Sequence, residues 1–515
     1  MRLLTGVSYK KMIANRIIVT GFLIIVQFVL MVSLFYFVIG YSWFILSIFY
    51  ILSGLYSVYL VSKDDSPTYK IGWLIVIMLF PPFGTFLYML WGDKKPSKKL
   101  QNKMKKSYAM MDEYLPQKSV ELEELLRVDK RAGATANYIR GTTRYPLYKN
   151  TSVAYYPLGE DMFADILVEM KKAKHYIFLE YYIIDEGEMW GKMLEVLLQK
   201  AKEGVEIRII YDDLGTVALL PRGYNKALEE MDPHIKCLPF NPIVPFLAMV
   251  MNNRDHRKIL VIDGNVGFTG GINLADEYIN QKERFGHWKD NGVMLKGEAV
   301  FNFTAMFLEL WNACHKEKMD PVCYKPKFIE EVQAKGFVLP YGDDPLDWET
   351  VGENVYMDMI NQAQDYIYIT TPYLILDDQM KNALCIAAKR GVDIRIITPG
   401  IADKKMVFRL TRSNYKPLLA AGVNIYEYTP GFIHAKTIVC DDKMGVVGTI
   451  NFDYRSLFLH FECGVWLYAV EAIYDVRDDI LETLKISKKV TLQDQKKTKI
   501  GNFIDGLLRI MAPLM

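Results

Sequence analysis

The chain has 515 residues, of which 51% are hydrophobic and 24% are charged. This length exceeds one ordinary hydrophobic core and predicts roughly three domain-sized units, which excludes a miniprotein or a disulfide scaffold. Residues 1–106 carry 13 basic and 3 acidic side chains, a net charge of +10, so the remainder carries −8. An acidic remainder argues against a protein that binds nucleic acid.

The N-terminal region is strongly apolar. From Ile17 to Ser62 there are 46 residues without an acidic, basic or histidine side chain, which is more than two helical bilayer spans of about 20 residues each. They predict one span over 17–39 and a second over 43–61. A third apolar stretch, 71–91, contains two adjacent prolines, and it predicts a broken span, a re-entrant pair or an interfacial helix because proline removes backbone donors.

A lysine-rich stretch from Lys94 to Lys106 follows the third apolar stretch. Positive charge beside a membrane span favours the cytoplasmic side, so we expect the rest of the chain in the cytoplasm. The basic residues between Arg2 and Arg16 favour that side too, and three full spans cannot place both groups there. The stretch itself is either a solvated helix face or a contact with anionic lipid.

Beyond residue 150, helical and strand patterns alternate. Apolar spacing predicts a helix over 163–170, a strand over 176–184, a helix over 193–198 and a strand over 205–211. The block at 173–213 then recurs at 363–400, including A-K-x-G-V-x-I-R-I-I, which is an internal repeat of about 180 residues. A repeat of this length predicts an α/β fold of two tandem domains.

The predicted domain organisation therefore has five parts, which run in chain order. They are membrane-anchoring helices over 1–92, a basic and polar linker over 93–150, two α/β domains over 151–330 and 331–490, and an amphipathic C-terminal tail over 491–515. The apolar residues of the tail recur at helical spacing near basic residues, which is typical of an interfacial helix and also of a helix that packs on its own domain.

Each copy of the repeat ends in the pattern H-x-K-x4-D-x6-G-[GT]-x-N. Its members are His256, Lys258, Asp263 and Asn273 in the first copy and His434, Lys436, Asp441 and Asn451 in the second. Along a strand, the period of two places each histidine and its lysine on one face. The two aspartates, Asp263 and Asp441, are counted with the catalytic residues as members of the motif. They have the opposite parity and close their strands at a turn, so a structural carboxylate is the simpler expectation and a catalytic one is the alternative.

The chemistry of these residue types points to phosphoryl transfer. One imidazole would attack phosphorus while the other protonates the leaving oxygen, and the lysines and asparagines would hold the phosphoryl oxygens. This scheme needs no metal and no cofactor. A single H-x-K on a strand is more often a surface pair, but two intact copies favour one composite site. The other histidines, His460 among them, are expected to be structural or at the surface.

The doubled motif resembles the phospholipase D superfamily over residues 150–490. Within it, the apolar N-terminal region, the segment at 73–92 and G-T-I-N-F-D-Y-R-S at 448–456 are similar to bacterial cardiolipin synthases. The resemblance implies two tandem phospholipase D-like α/β sandwich domains with the active site between them, preceded by an N-terminal transmembrane helical region. The apolar segment at 17–39 departs from the two spans that are common in the family.

The resemblance also implies an activity: transfer of a phosphatidyl group from one phosphatidylglycerol to another, with release of glycerol, through a phosphohistidine. It implies His256 as nucleophile, His434 as acid and base, and a multi-pass protein of a bacterial cell membrane. Hydrolytic phospholipase D and transfer to another alcohol use the same residues, so the motif does not separate them. A nuclease and a non-catalytic membrane module are the remaining alternatives. The sequence predicts no oligomeric state.

Two carboxylates at matching positions of the repeat are candidates for orienting the histidines. Asp290 and Glu462 each precede a glycine and a valine that open an apolar strand. A nucleophilic imidazole works best when its other nitrogen donates to an acceptor. The sequence order predicts that Asp290 serves His256 and that Glu462 serves His434, with ordinary strand-entry acids as the alternative.

Overall fold

The structure is a computed structural model that describes residues 43–92, 95–116, 119–243, 252–326, 334–347, 349–496 and 498–512, together with six isolated helical positions between 22 and 33. Apart from those six positions, the first predicted span, 17–39, lies outside the described residues.

Three apolar helices lie at the N-terminal side of the described chain: α1 (Trp43–Ser62), α2 (Pro67–Leu79) and α3 (Pro81–Trp91). The third apolar stretch is thus divided between two helices at its two prolines, because proline fits the first turn of a new helix. The choice among a broken span, a re-entrant pair and an interfacial helix stays a prediction. The hydroxyl of Ser53 in α1 donates to the carbonyl of Pro81 at 2.6 Å and ties this break to α1. Among the described residues, no helix combines the length and apolar character that crossing a membrane requires.

Residues 93–150 contain three helices where a linker was predicted: α4 (Lys98–Asp112), α5 (Val120–Val128) and α6 (Lys130–Thr143). Met104 and Met111 of α4 are fully buried in the main core, while the lysines of α4 are exposed. The hydroxyl of Ser107 donates to the carbonyl of Glu309 at 2.8 Å. The basic segment therefore packs on the α/β region through an apolar stripe and keeps its positive face outward.

The first α/β half is built around a seven-stranded sheet in the order β1-β8-β6-β5-β2-β3-β4. Its strands are β1 (Thr151–Tyr156), β2 (Tyr176–Tyr181), β3 (Glu206–Asp212), β4 (Ile235–Phe240), β5 (Lys258–Ile262), β6 (Val266–Gly270), β7 (His287–Lys289) and β8 (Gly292–Gly297), of which β7 lies outside this sheet. Its helices are α7 (Gly159–Lys172), α8 (Glu188–Lys202), α9 (Tyr224–Glu229) and α10 (Val300–Cys314).

The second half repeats this order and adds one strand at the end. From the corresponding edge, its sheet reads β9-β16-β15-β14-β10-β11-β12-β17. Its strands are β9 (Phe337–Asp343), β10 (Tyr366–Thr370), β11 (Asp393–Pro399), β12 (Asn424–Tyr428), β13 (Gly431–Ile433), β14 (Thr437–Cys440), β15 (Met444–Gly448), β16 (Glu462–Tyr468) and β17 (Ser487–Lys489). Its helices are α11 (Val351–Gln362), α12 (Asp378–Lys389), α13 (Lys405–Ser413), α14 (Tyr415–Ala421), α15 (Tyr454–Phe458) and α16 (Ala472–Lys485), and α17 (Lys499–Met511) follows.

The two halves form one continuous core. Strands β6 and β8 of the first sheet contact β15 of the second, and buried side chains of both sheets belong to the same apolar cluster. Strand β7 of the first half also pairs in parallel with β13 of the second, with Trp288 opposite Phe432. The prediction of two α/β halves is confirmed, and the joint between them is where both motifs lie.

Candidate active site

A cleft of about 590 Å³ opens at the joint between the two halves and receives both motif histidines, His256 and His434. The polar residues that line it come from both halves and include Tyr182, Arg254, Asn273, Tyr278, Arg284, Tyr373, Asp403, Lys404, Asn451, Asp453, Arg455 and His460. Basic side chains outnumber the acidic ones in this lining, which suits an anionic ligand.

The first imidazole, His256, lies two residues before β5 and is buried. Its Nδ1 is 2.8 Å from Oε1 and 3.0 Å from Oε2 of Glu462. Glu462 is fully buried and also accepts a hydrogen bond from the hydroxyl of Thr449. The carboxylate therefore holds one ring nitrogen of His256 and leaves the other, Nε2, for the cleft.

The second imidazole, His434, makes the corresponding contact with the other carboxylate. Its Nδ1 is 2.7 Å from Oδ2 of Asp290, which is fully buried. The predicted pairing is therefore wrong: Asp290 serves His434 and Glu462 serves His256. Both carboxylates do contact a motif histidine, but each contacts the histidine of the other half.

The pairing of each histidine with the carboxylate of the other half follows from backbone hydrogen bonds across the joint. The amide of His256 donates to the carbonyl of Phe461 at 2.8 Å, and the amide of His434 donates to the carbonyl of Lys289 at 2.7 Å. Each of these carbonyls belongs to the residue immediately before an orienting acid. The residue that follows each carbonyl thus reaches the imidazole of the opposite half, a contact that sequence order within one repeat cannot show.

The two motif lysines lie on the histidine side of their strands, as the strand parity predicts. Lys258 Nζ donates to the carbonyl of His256 at 2.6 Å. Lys436 Nζ contacts the carbonyl of His434 and lies 2.8 Å from its Nδ1. Both lysines are buried, so each places its amine beside an imidazole.

The motif asparagines line the cleft and the motif aspartates do not. Asn273 donates to the hydroxyl of Tyr278 at 2.8 Å and accepts from a backbone amide. Asp263 accepts three backbone N–H bonds from residues 174–176, and Asp441 accepts three from residues 364–366. The geometry gives both aspartates the structural turn position that their parity predicts and keeps them away from the reacting groups.

The electrostatics of the site follow from burial and from the clustered cations. Burial, with Lys258 and Lys436 nearby, holds the pKa of His256 well below its usual value. Burial and Lys436 lower the pKa of His434 to about 4. Burial lowers the pKa of Lys258 to about 8 and that of Lys436 to about 7. In the free protein at neutral pH, these shifts favour the uncharged form of both imidazoles.

Asp290, the acid beside His434, has a lowered pKa although burial favours its neutral form. Burial alone would raise the pKa of Asp290, but His434 and Lys436 outweigh it and hold that pKa below the usual value. Asp290 is thus ionised at neutral pH and accepts the hydrogen bond from the imidazole.

Sequence reasoning missed His460, which lines the cleft. Its ring centroid is 5.6 Å from that of His256, and its Nδ1 is 3.8 Å from Oε1 of Glu462. Neither ring nitrogen has a hydrogen-bond partner within the described part of the chain. The sequence did contain a signal for His460, because it lies two residues before Glu462 and the period of two along an extended chain places both on one side. The same period of two extends from His256 back to Arg254, another cleft residue that the motif does not contain.

One group of side chains in the described ranges is able to ligate a metal ion. His256, His460 and Glu462 offer ligand atoms within 4.8 Å of one another. A bound ion would compete with the hydrogen bond between His256 and Glu462 and would face the charge of Lys258. The arrangement fits an oriented imidazole better than a resident metal centre, and the expectation of a cofactor-free enzyme stays a prediction.

A known protein family matches both copies of the repeat. The profile described as "Cardiolipin synthase, PLD-like domain" matches residues 166–311 and 356–484, one segment in each half. The profile described as phospholipase D-nuclease N-terminal matches residues 43–92, which hold α1, α2 and α3.

Individual relatives align over most of the chain. A protein named cardiolipin synthase from Geobacillus sp. is 33% identical over 479 residues, which are 91% of this chain and 94% of that protein. An uncharacterized protein from Streptococcus mutans is 47% identical over 458 residues, 89% of this chain and 99% of that protein. The crystal structure of phosphatidylserine synthase from Haemophilus influenzae shares the fold, with a TM-score of 0.57 at 13% identity over 75% of this chain and 98% of that one.

Proposed function

Because the chain belongs to the family of cardiolipin synthases with phospholipase D-like domains, we propose that it converts two molecules of phosphatidylglycerol into cardiolipin and glycerol through a phosphohistidine. The observation that carries this mechanism is the pair of buried contacts between imidazole and carboxylate in one cleft, His256 with Glu462 and His434 with Asp290. Two imidazoles with fixed orientation supply one nucleophile and one acid and base.

In the first step, Nε2 of His256 attacks phosphorus, and the bond from phosphorus to the oxygen of the headgroup glycerol breaks. His434 donates a proton to that oxygen, so glycerol leaves as a neutral alcohol. In the second step, His434 takes the proton from the terminal hydroxyl of a second phosphatidylglycerol. That oxygen attacks phosphorus, the bond between phosphorus and nitrogen breaks, and His256 is restored. Each turnover leaves the protein unchanged.

The neighbouring cations suit this chemistry. Lys258 and Lys436 are buried beside the two imidazoles, where a positive charge stabilises the extra negative charge of a five-coordinate phosphorus. A bound phosphodiester would in turn offset the lysines and make a protonated His434 more favourable than it is in the free protein. The amides of Asn273 and Asn451 line the same cleft, which supports a role for them in binding the phosphoryl oxygens.

The experiment is to incubate the purified full-length protein with phosphatidylglycerol vesicles and to identify the products. We expect cardiolipin and glycerol in equal amounts, and a chelator should leave the rate largely intact because no ion takes part. Phosphatidic acid with glycerol would favour hydrolysis instead. The variants His256→Ala and His434→Ala serve as controls and should each lose nearly all turnover while still folding.

We also propose that the protein is a multi-pass protein of a bacterial cell membrane with its α/β halves in the cytoplasm. Many apolar side chains of α1 are exposed, with Phe44 74% exposed and Val58 69% exposed, and a soluble surface rarely carries so large an apolar area. The lysine-rich α4 follows α3, the third of the apolar helices, which supports a cytoplasmic location for the halves that come after it.

A further inference from the structure

The cleft adjoins a second cavity that is lined in part by helix α17. This cavity measures about 340 Å³, within the range of roughly 300–1,000 Å³ that small-molecule sites occupy. Ile375, Tyr454 and Ala512 line both the cleft and this cavity. We call the second cavity the acyl groove, and it is also lined by Thr68, Ile71, Leu376, Leu410, Gly506 and Ile510.

Helix α17 forms one wall of the acyl groove and is fixed on the second half. Leu508 and Ala512 pack in a small apolar cluster with Leu410 of α13. Arg409 donates to Asp505 at 2.7 Å, and Asp505 is buried. The groove wall is therefore held both by apolar packing and by an ion pair.

The outer side of α17 is apolar as well. Ile500, Phe503 and Leu507 recur at helical spacing and are 73%, 67% and 48% exposed. Thr68 and Ile71 at the start of α2 also line the acyl groove, and α2 contacts α17. The groove thus lies between the apolar N-terminal helices and an amphipathic helix, where hydrocarbon is expected rather than water.

We propose that the acyl groove holds an acyl chain of the phospholipid whose phosphate lies in the cleft, an inference that rests on the proposed function. A phosphatidyl group joins two hydrocarbon chains to its phosphate through one glycerol, so a protein that holds the phosphate needs an apolar route for a chain. Leu376, Leu410 and Ile510 give the groove apolar walls. Lys381 pairs with Asp378, which also lines the groove, so the positive charge that suits an anionic lipid comes from Arg509.

Gly506 offers a direct test, because a Cβ built at this position meets no heavy atom within 4 Å. The variant Gly506→Leu fills the acyl groove without a backbone clash and places a stronger helix former in α17. We expect the KM for dioleoyl phosphatidylglycerol to rise about tenfold. Soluble dibutyryl phosphatidylglycerol has the same headgroup but chains too short to fill the groove, and its KM should stay within about twofold.

Two further variants separate filling of the groove from other effects. Asn502→Leu introduces the same side chain at an exposed position of α17, outside the groove lining, and should change neither KM. Ile510→Ala enlarges the groove and should shift the preference among saturated phosphatidylglycerols toward longer chains.

The readout is consumption of phosphatidylglycerol by the full-length protein, whichever products form. A wild-type protein that only hydrolyses lipid would contradict the proposed function and would still test the groove. An unchanged ratio of long-chain to short-chain KM in both Gly506→Leu and Ile510→Ala would overturn the acyl groove, and so would an equal loss on both lipids.

Discussion

Each imidazole of the cleft depends on a carboxylate from the other half, and the residues that support the two carboxylates differ. A Cβ at Gly271 would lie 2.0 Å from Oδ1 of Asp290, so only glycine leaves room for this shorter acid. At the matching position of the second half, Thr449 donates its hydroxyl to Glu462. The variable position of the motif, glycine in one copy and threonine in the other, is thereby explained by the acid that each copy accommodates.

The crossed pairing predicts different defects for the two acids. Asp290→Asn weakens the group that protonates the leaving oxygen, whereas Glu462→Gln weakens the nucleophile. Each should lower turnover of phosphatidylglycerol by one or more orders of magnitude. A phosphatidyl 4-nitrophenyl ester has a leaving group that needs no proton, so its rate of adduct formation should be nearly normal in Asp290→Asn and should stay low in Glu462→Gln.

The control for these variants is Glu195→Gln, an exposed acid of α8, which should behave as the wild type with both substrates. Rapid quench and mass spectrometry measure the covalent adduct on His256. If the good leaving group rescued Glu462→Gln and not Asp290→Asn, the roles of the two histidines would have to be exchanged.

The lowered pKa of His256 predicts an unusual pH profile. Burial and the charge of Lys258 hold the pKa of this imidazole well below its usual value. Adduct formation with the nitrophenyl ester should therefore not decline between pH 8 and about 5.5, whereas an imidazole with the ordinary pKa of about 6.5 would already lose about tenfold at the lower end. Lys258→Met removes one positive neighbour and should move the decline to higher pH. A wild-type decline centred near pH 6.5 would contradict this account.

The motif members could be predicted from the sequence because the repeat shows them twice, and strand parity separates the lysines from the two aspartates. The partner of each histidine could not be predicted in the same way. Asp290 and Glu462 were identifiable as candidates, but their pairing depends on contacts between chain segments about 144 and 206 residues apart. Those contacts arise from the packing of the halves, which no local pattern encodes.

At the scale of elements, strands and helices within a half follow from local periodicity. The strand predicted over 205–211 is β3 (Glu206–Asp212), and the strand predicted over 176–184 ends earlier, at Tyr181 in β2. The pairing of β7 with β13 was not predicted, because each has only three residues and their partners lie in different halves. Short strands gain their stability from such tertiary pairing rather than from their own sequence.

The joint between the halves also contains a buried ion pair whose loss should destabilise the fold. Lys289 Nζ is 2.7 Å from Oδ1 of Asp479, and the two side chains are only 8% and 14% exposed. Lys289→Met leaves a buried carboxylate without its cation, so we expect a loss of about 3 kcal/mol in the free energy of unfolding. Thermal unfolding in detergent measures the effect.

Lys192→Met provides the matched control for this prediction. Its partner is Glu188, and both side chains of that pair are about half exposed, so its loss should change the free energy of unfolding by at most about 1 kcal/mol. Equal shifts in the two variants would show that the pair at the joint contributes no more than a surface pair does.

At the scale of the whole molecule, apolar surface is concentrated in the N-terminal helices and in α17. Exposed apolar residues of α2 include Ile71, Met78 and Leu79, at 50%, 73% and 67%, and those of α17 flank the acyl groove. The two regions contact each other. A bilayer that covered both would bring lipid to the groove and from there to the two histidines.

The orientation of the protein across that bilayer is the last prediction. The lysine-rich helix α4 should hold the α/β halves in the cytoplasm, since positive charge beside apolar segments is retained on that side. Val120 lies at the first turn of α5 and is 72% exposed, so Val120→Cys offers an accessible thiol. Cys314, Cys323 and Cys385 are at least partly exposed and are replaced by serine, while the three buried cysteines stay. An impermeant maleimide should label this variant in lysed cells, which proves that the thiol reacts, and should leave it unlabelled in intact cells; labelling in intact cells would place the halves outside the cytoplasm.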